Sequence, residues 1–265
     1  MSLPFSYRVH RILFRIRERL YPAVCAVCGE ALEAPGALCP TCLGEYRRAR
    51  LFDCGQCGKP LDSCACSTDT LRKARVRRMV KLFRYRAGHE QSTESKIIFA
   101  LKHKNLETLF HFMGEELAEA LSRVISEPKE SLLVTYVPRT QGQITANGYD
   151  HARLLALALA DAAGLSFCRC LARRSRRDKE QKKMDSYGLR VKNVADAFCL
   201  ARGCSCRGKR VLLVDDVVTT GATASDCARV LRREGGAKEV IAVSLSVVPH
   251  NVNPLLENQD KLKKK

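Results

Sequence analysis

The closely spaced cysteines between Cys25 and Cys66 constrain the fold of this chain more than any other feature. Eight of the 14 cysteines lie there, in the order C-x2-C, C-x2-C, C-x2-C and C-x-C. A two-residue spacer lets both sulfurs of a pair face one ion, and four thiolates complete the tetrahedral coordination of zinc at about 2.3 Å. The stretch lacks hydrophobic periodicity and needs metal to fold. Because four thiolates leave no open coordination position, we expect structural rather than catalytic zinc.

The order of these cysteines along the chain divides them into two quartets. The first contains Cys25, Cys28, Cys39 and Cys42, and the second contains Cys54, Cys57, Cys64 and Cys66. The single-residue spacer of the last pair makes the second quartet less typical. Ligand pairing across the quartets and an iron–sulfur cluster are left open as alternatives.

Four later cysteines have a shorter spacing. Cys168 and Cys170 form one C-x-C pair, and Cys204 and Cys206 form another. The two pairs lie in separate segments, and neither pair alone fills a tetrahedral site. We therefore expect ordinary thiols at these positions.

Beyond about residue 92 the chain alternates between apolar strands and helices. Its pattern predicts strands over 132–138, 211–217 and 239–248, and helices over 94–103, 108–125, 150–163 and 223–234. The alternation of basic and apolar residues over 71–86 predicts a strand or an extended connection. Such alternation is typical of βαβ units. We predict an α/β fold, a parallel sheet with helices on both faces, preceded by a small Cys-rich double zinc ribbon.

Both ends of the chain are basic. Residues 1–24 contain a predicted basic amphipathic helix, which would pack on the body of the protein, on a membrane surface or on DNA. Residues 251–265 form a basic tail. No run approaches 18 apolar residues, and no secretory signal is evident, so we expect no integral membrane span. The expected location is cytoplasmic, with peripheral membrane contact left open.

The charge balance indicates the class of partner. Lys and Arg number 46 against 28 Asp and Glu, which gives a net charge of +18. Such an excess favours polyanionic partners, namely nucleic acid, phosphorylated ligands or an anionic membrane face. The absence of Trp and an aromatic content of 6% argue against single-strand binding through stacked aromatic platforms.

The segment Val211–Thr223 carries the clearest functional pattern. A buried strand ends in Asp215 and Asp216, and a short loop of threonines and glycine leads into a helix. Ligands of open α/β sheets bind at this edge, and helix N-termini favour anions such as phosphate. Two carboxylates suit a ribose diol or support Mg²⁺. The pattern therefore predicts a site for a phosphorylated sugar.

This segment resembles the signature of type I phosphoribosyltransferases. Together with the cysteine quartets, it makes the chain similar to the ComF family over residues 20–248. The resemblance implies a double zinc ribbon at 25–68 and a phosphoribosyltransferase-like domain at 69–250. It also implies binding of 5-phosphoribosyl-1-pyrophosphate (PRPP) with Mg²⁺. The implied binding residues are Asp215, Asp216, Thr219, Thr220, Gly221, Ala222, Thr223, Lys102 and Arg139.

Further segments match the family, and one departs from it. Leu101-Lys102-His103 and the strand end at 136–139 match, and so do Gln181, Arg190, Asn193, Ala197 and Phe198. The charged segment 173–190 would then be a mobile lid over pyrophosphate. The family's Arg-Gly-aromatic-Asn-Gln is here Asn147-Gly148-Tyr149-Asp150-His151. A cation is therefore lost, and an acid gained, near the expected pyrophosphate site.

Two functions of different class follow from the resemblance. In the first, the protein is an enzyme that transfers a phosphoribosyl group from PRPP, with Asp215 and Asp216 as its catalytic residues. In the second, it is a non-catalytic protein that uses the fold as a scaffold to bind single-stranded DNA or a competence helicase. Both place the chain in DNA uptake, competence or the use of exogenous DNA.

Overall fold

The computed structural model describes residues 4, 7, 9, 23–50, 52–85, 91–174 and 197–248. Several predicted segments lie largely or wholly outside these residues. They are the N-terminal helix, the basic tail and most of the charged segment 173–190, including Gln181 and Arg190. Asn193 also lies outside them.

The helices and strands agree with the predicted pattern. The helices are α1 Pro40–Arg50, α2 Asp69–Lys73, α3 Thr93–His103, α4 Glu107–Val124, α5 Gln141–Asn147, α6 His151–Ala163 and α7 Ala222–Arg233. The strands are β1 Met79–Arg84, β2 Leu132–Tyr136, β3 Ser166–Phe167, β4 Leu171–Arg173, β5 Phe198–Leu200, β6 Arg210–Val218 and β7 Glu239–Val247. The predicted extended segment 71–86 proves to be the end of α2 followed by β1.

The long strands form one parallel sheet. Within the described residues its order is β1–β7–β6–β2–β3, and each neighbouring pair is parallel. A separate antiparallel pair joins β4 to β5, with Leu171 opposite Leu200. The predicted parallel sheet is thereby confirmed.

The alternating side chains of β6 divide the core into two layers. Leu212 and Val214 pack with α3, α4 and α6 on one face. Val211 and Leu213 pack with α2 and α7 on the other. Helices therefore cover both faces, as predicted. Because α6 follows β2 on one face and α7 follows β6 on the other, the chain changes direction between β2 and β6, where open sheets bind ligands.

A buried arginine joins the cysteine-rich region to the sheet domain. Arg50, at the end of α1, forms ion pairs with Asp62 at 2.9 Å and with Glu116 of α4. The Tyr46 hydroxyl donates to the same Glu116 at 2.9 Å. Arg123 of α4 also reaches Asp62. The Arg50 side chain is only 10% exposed, so its carboxylate partners must neutralise it.

We expect Arg50→Ala to lower the free energy of unfolding by about 3–5 kcal/mol, because the carboxylates of Asp62 and Glu116 lose the buried cation that they share. Arg229→Ala is the matched control, since Arg229 forms an exposed pair with Asp226 within α7. That control should cost less than about 1 kcal/mol. Urea unfolding of both variants measures the difference, and equal losses would contradict the role of Arg50.

Candidate functional site

Two adjacent carboxylates lie where β6 extends past its neighbour. Tyr136, the last residue of β2, is paired with Val214, so Asp215 and Asp216 lie beyond the end of β2. Asp215 is still paired with Ser244 of β7. The two carboxylates therefore lie at the carboxyl end of the parallel sheet, the edge to which the sequence assigned the candidate site, and next to the end of β2.

Basic groups from separate elements converge on Asp216. Arg139, which follows β2, donates to its Oδ1 at 2.9 Å. Lys102 Nζ of α3 lies 3.1 Å from Oδ2, and His151 Nε2 at the start of α6 lies 3.3 Å from the same oxygen. Arg139 also contacts the His151 ring. The structure thus brings together Lys102, Arg139 and Asp216, three of the predicted site residues.

The two carboxyl groups have opposite electrostatic surroundings. Burial and the neighbouring Asp216 charge raise the pKa of Asp215 well above its usual value. Burial also acts to raise the pKa of Asp216, but the hydrogen bond from His151 and the charges of Lys102 and Arg139 outweigh it and lower that pKa. Asp216 is therefore a fixed anion, whereas Asp215 readily holds a proton.

The loop after β6 is held close to the segment that follows the cysteines. Gly221 has φ +82°, and a Cβ there would lie 2.9 Å from both Leu71 Cγ and Thr68 Oγ1. Only glycine fits this backbone and this contact. Thr219, Thr220, Ala222 and Thr223 are exposed around it. The loop therefore presents backbone and hydroxyl groups to solvent at the start of α7.

The segment that departs from the family motif at Asn147, Asp150 and His151 contains residues with structural roles. Asp150 caps α6, because its side chain accepts from the Arg153 amide at 3.2 Å. The Tyr149 hydroxyl donates to the Leu101 carbonyl at 2.8 Å. His151 is 3% exposed, and its Nδ1 has no hydrogen-bond partner among the described residues. Sequence reasoning missed His151 as a site residue, although its replacement of the family's glutamine was the signal.

Both predicted cysteine quartets assemble as the sequence order suggests. Within each quartet, all four sulfurs lie within 4.8 Å of one another. Cys28 and Cys39 sulfurs are 3.7 Å apart, and Cys57 and Cys64 sulfurs are 3.4 Å apart. A tetrahedron with zinc–sulfur bonds of about 2.3 Å has edges of about 3.8 Å, so the residues fit zinc. Pairing across the quartets is excluded by this arrangement.

Comparison with known proteins finds relatives that match most of this chain. Residues 16–71 match the model of the double zinc ribbon domain. The DNA utilization protein YhgH of Escherichia coli K12 is 26% identical over 215 residues, covering 81% of this chain and 86% of its own. Competence protein ComFC of Bacillus subtilis is 22% identical over 210 residues, covering 78% and 83%. These matches support the resemblance to the ComF family over most of the chain. The chain carries structural zinc in its ribbons.

The sheet domain is also similar to a solved structure of another protein. Adenine phosphoribosyltransferase from Leishmania tarentolae is 15% identical, covers 57% of this chain and 74% of its own, and has a TM-score of 0.34. Separately, no helix in the described ranges of this chain is long and apolar enough to cross a membrane.

A buried lysine connects the second ribbon of this protein to its sheet. Lys81 of β1 is 3% exposed. Its Nζ donates to the Cys66 carbonyl at 2.8 Å and lies 3.4 Å from the Cys64 sulfur. A tetrathiolate zinc site carries net negative charge, so this ammonium neutralises part of it. Sequence reasoning missed Lys81, because its contact with the ribbon depends on the tertiary fold.

We expect Asp216→Asn to lower the free energy of unfolding by about 3 kcal/mol at pH 7, because Lys102 and Arg139 lose their anion. The folded pKa of Asp216 is depressed. The difference from the unmodified protein should therefore persist above the ordinary aspartate pKa of about 3.9 and decline as the pH falls below it. Urea unfolding between pH 3 and 8 measures this.

We expect Asp215→Asn to change the free energy of unfolding in the opposite direction from Asp216→Asn. The folded pKa of Asp215 is raised, so its ionisation costs stability as the pH rises. The amide also keeps the oxygen that accepts from the Asp216 N–H at 3.0 Å. We expect unchanged or higher stability, with a larger gain at pH 7 than at pH 4. Destabilisation at pH 7 in the same unfolding series would contradict this account.

We expect Lys81→Met to release one zinc per chain at least tenfold faster, because the site loses a charged hydrogen bond of about 1.5–3 kcal/mol. Lys59→Met, in the exposed turn of the same ribbon, should release zinc at the unmodified rate. A chromogenic chelator follows both rates. Equal release from the two variants would show that Lys81 does not stabilise the metal site.

Proposed function

We propose that this protein binds PRPP or a related phosphoribosyl ligand with Mg²⁺ at the end of β6. The observation that carries the proposal is the pair Asp215 and Asp216 beside Arg139 and Lys102, directly before the loop that begins α7. The names of its relatives, a DNA utilization protein and a competence protein, support a role in DNA uptake or the use of exogenous DNA.

The chemistry of the ligand matches the site in two parts. A 5-phosphate suits the loop of Thr219, Thr220, Gly221, Ala222 and Thr223, because hydroxyls, amides and a helix N-terminus all favour an anion. The ribose diol suits Asp215 and Asp216, because carboxylates accept hydrogen bonds from vicinal hydroxyls. A pyrophosphate suits Lys102 and Arg139, which would exchange part of their contact with Asp216 for phosphate oxygens.

Phosphoribosyl transfer would use the same groups. An acceptor forms a bond to C1 of the ribose while the C1–oxygen bond to pyrophosphate breaks, and the electron pair leaves with pyrophosphate. Bound Mg²⁺ supplies Lewis-acid charge for that leaving group. Arg139 and Lys102 would stabilise the same developing charge, and Asp215 and Asp216 would orient the ribose.

Calorimetric titration of PRPP with Mg²⁺ into the zinc-loaded protein tests binding. Asp215→Asn should weaken binding at least tenfold, because Mg²⁺ and the ribose hydroxyls would favour the ionised form of Asp215, which the amide lacks, and a hydrogen bond to a charged group contributes about 1.5–3 kcal/mol. Asp226→Asn makes the same chemical change in an exposed pair on α7 and should bind as the unmodified protein does. Pyrophosphate release with candidate bases, amines and nucleotides then tests for turnover.

Two results would count against this proposal. Failure of the folded, zinc-loaded protein to bind PRPP would remove the ligand assignment. Equal binding by Asp215→Asn and the unmodified protein would show that the ligand lies elsewhere. Binding without pyrophosphate release would favour the non-catalytic form of the proposal.

A single-stranded DNA interface is the second candidate, supported by the distribution of charge. Arg72, Lys73, Arg75 and Arg77 are exposed on the segment between the ribbons and β1. Together with the net charge of +18, this basic segment favours contact with phosphates.

DNA binding through phosphates should weaken steeply with salt. For 6–10 contacts the affinity falls about 10³–10⁵-fold between 50 and 200 mM salt. Arg75→Ala/Arg77→Ala should reduce the slope by about 2, whereas Lys238→Ala, a single exposed lysine near β7, should change it by about 1 at most. Fluorescence anisotropy with labelled single strands measures the slopes. Undetectable binding at 50 mM salt would overturn this candidate.

A further inference from the structure

The two late C-x-C pairs, expected to be ordinary thiols in separate segments, meet in the fold. Cys168 and Cys170 lie between β3 and β4, and Cys204 and Cys206 lie between β5 and β6. The sulfurs of Cys168 and Cys204 are 3.4 Å apart. The sulfurs of Cys168, Cys170 and Cys204 all lie within 4.8 Å of one another.

Cys206 lies beside this cluster. It belongs to the same buried apolar group as Cys170, and Cys168 and Cys204 pack against that group. Cys170 and Cys206 are fully buried, while Cys168 and Cys204 are partly buried. Three sulfurs therefore form a compact group, and Cys206 is the nearby cysteine that can supply a fourth ligand.

Hydrogen bonds anchor the backbone around the cluster. Because they are donated by backbone amides, they do not occupy the cysteine sulfurs, which stay available to a ligand. The Cys168 amide donates to the Val134 carbonyl at 3.0 Å, and the Cys170 amide donates to Thr135 Oγ1 at 3.1 Å. Both partners belong to β2. The Cys206 amide donates to the Gly235 carbonyl at 2.9 Å. One pair is thus fixed to the sheet, and the other to the turn after α7.

The spacing of these sulfurs matches that of the zinc ribbons. The 3.4 Å between Cys168 and Cys204 equals the separation of Cys57 and Cys64 in the second ribbon. It is close to the edge of about 3.8 Å in a tetrahedral zinc–thiolate site. All four cysteines are free thiols. Binding of zinc would release the thiol protons, and the positive charge of the ion would offset the negative charge of the thiolates.

We propose that Cys168, Cys170, Cys204 and Cys206 form a third tetrathiolate zinc site. It lies in the sheet domain, outside the residues 16–71 that match the double zinc ribbon. Its four thiolates leave no open coordination position, so its role is structural. It connects the residues before β4 to those after β5, and thereby holds together both ends of the segment between these strands.

The metal content of the full chain tests this proposal. Native mass spectrometry of protein purified with reductant and zinc should show three zinc ions per chain. Cys168→Ser/Cys204→Ser should hold two. Cys199→Ser is the matched control, because Cys199 lies in β5 and its sulfur contacts the Ala172 carbonyl rather than the cluster. This control should hold three.

Several outcomes would overturn the third site. Two zinc ions in the unmodified protein, or three in the double variant, would remove it. Disulfides among the four cysteines, detected by alkylation without reductant, would do the same. An iron–sulfur absorption spectrum would reject zinc as the metal. If the double variant does not fold, cadmium-113 NMR of the unmodified protein decides, because three signals from tetrathiolate sites support the proposal and two contradict it.

Discussion

The buried charge of Asp216 organises the centre of this molecule. Its carboxylate lies at the end of a central parallel strand, where an uncompensated anion would be costly. Compensation comes from Arg139 after β2, Lys102 on α3 and His151 at the start of α6. One carboxylate therefore fixes the relative positions of three elements that lie far apart in sequence. It also holds two cations at the edge of the sheet, where an anionic ligand would meet them.

Metal coordination replaces a hydrophobic core in the first part of the described chain. The apolar clusters around the two quartets are small and consist mainly of the cysteines themselves. Such a region becomes stable when thiolates bind zinc. Its attachment to the sheet is partly electrostatic, through Arg50 to Glu116 and through Lys81 to the second quartet. It is also partly apolar, because Tyr46 is buried in the main core and packs against Phe83 of β1. Two buried cations thus couple the folding of the ribbons to that of the parallel sheet.

Local sequence patterns were sufficient to predict the fold class, the strands β2, β6 and β7, and the two quartets, whereas the short strands β3, β4 and β5 were not predicted. Strands such as 211–217 are apolar because both of their faces are buried. Paired cysteines with short spacers indicate two ligands of the same metal ion. The contacts of His151, Lys81 and the late cysteines were not predictable in this way. Each depends on a partner at least 12 residues away, and no local period encodes it. For Asp150 the sequence pattern suggested a functional change that the structure explains locally. The acid was interpreted as a change near the pyrophosphate site, but its side chain caps a helix.

The late cysteines are also connected to the candidate ligand site. Arg173, the last residue of β4, donates to the Pro138 carbonyl at 2.9 Å, and Pro138 precedes Arg139. Cys170 lies directly before β4 and is anchored to β2 through Thr135. Metal binding at the cysteines would therefore fix β4, and β4 holds the loop that carries Arg139. Because Arg139 is one of the cations on Asp216, order at the cysteines is transmitted to the carboxylates of β6 through a short series of direct contacts.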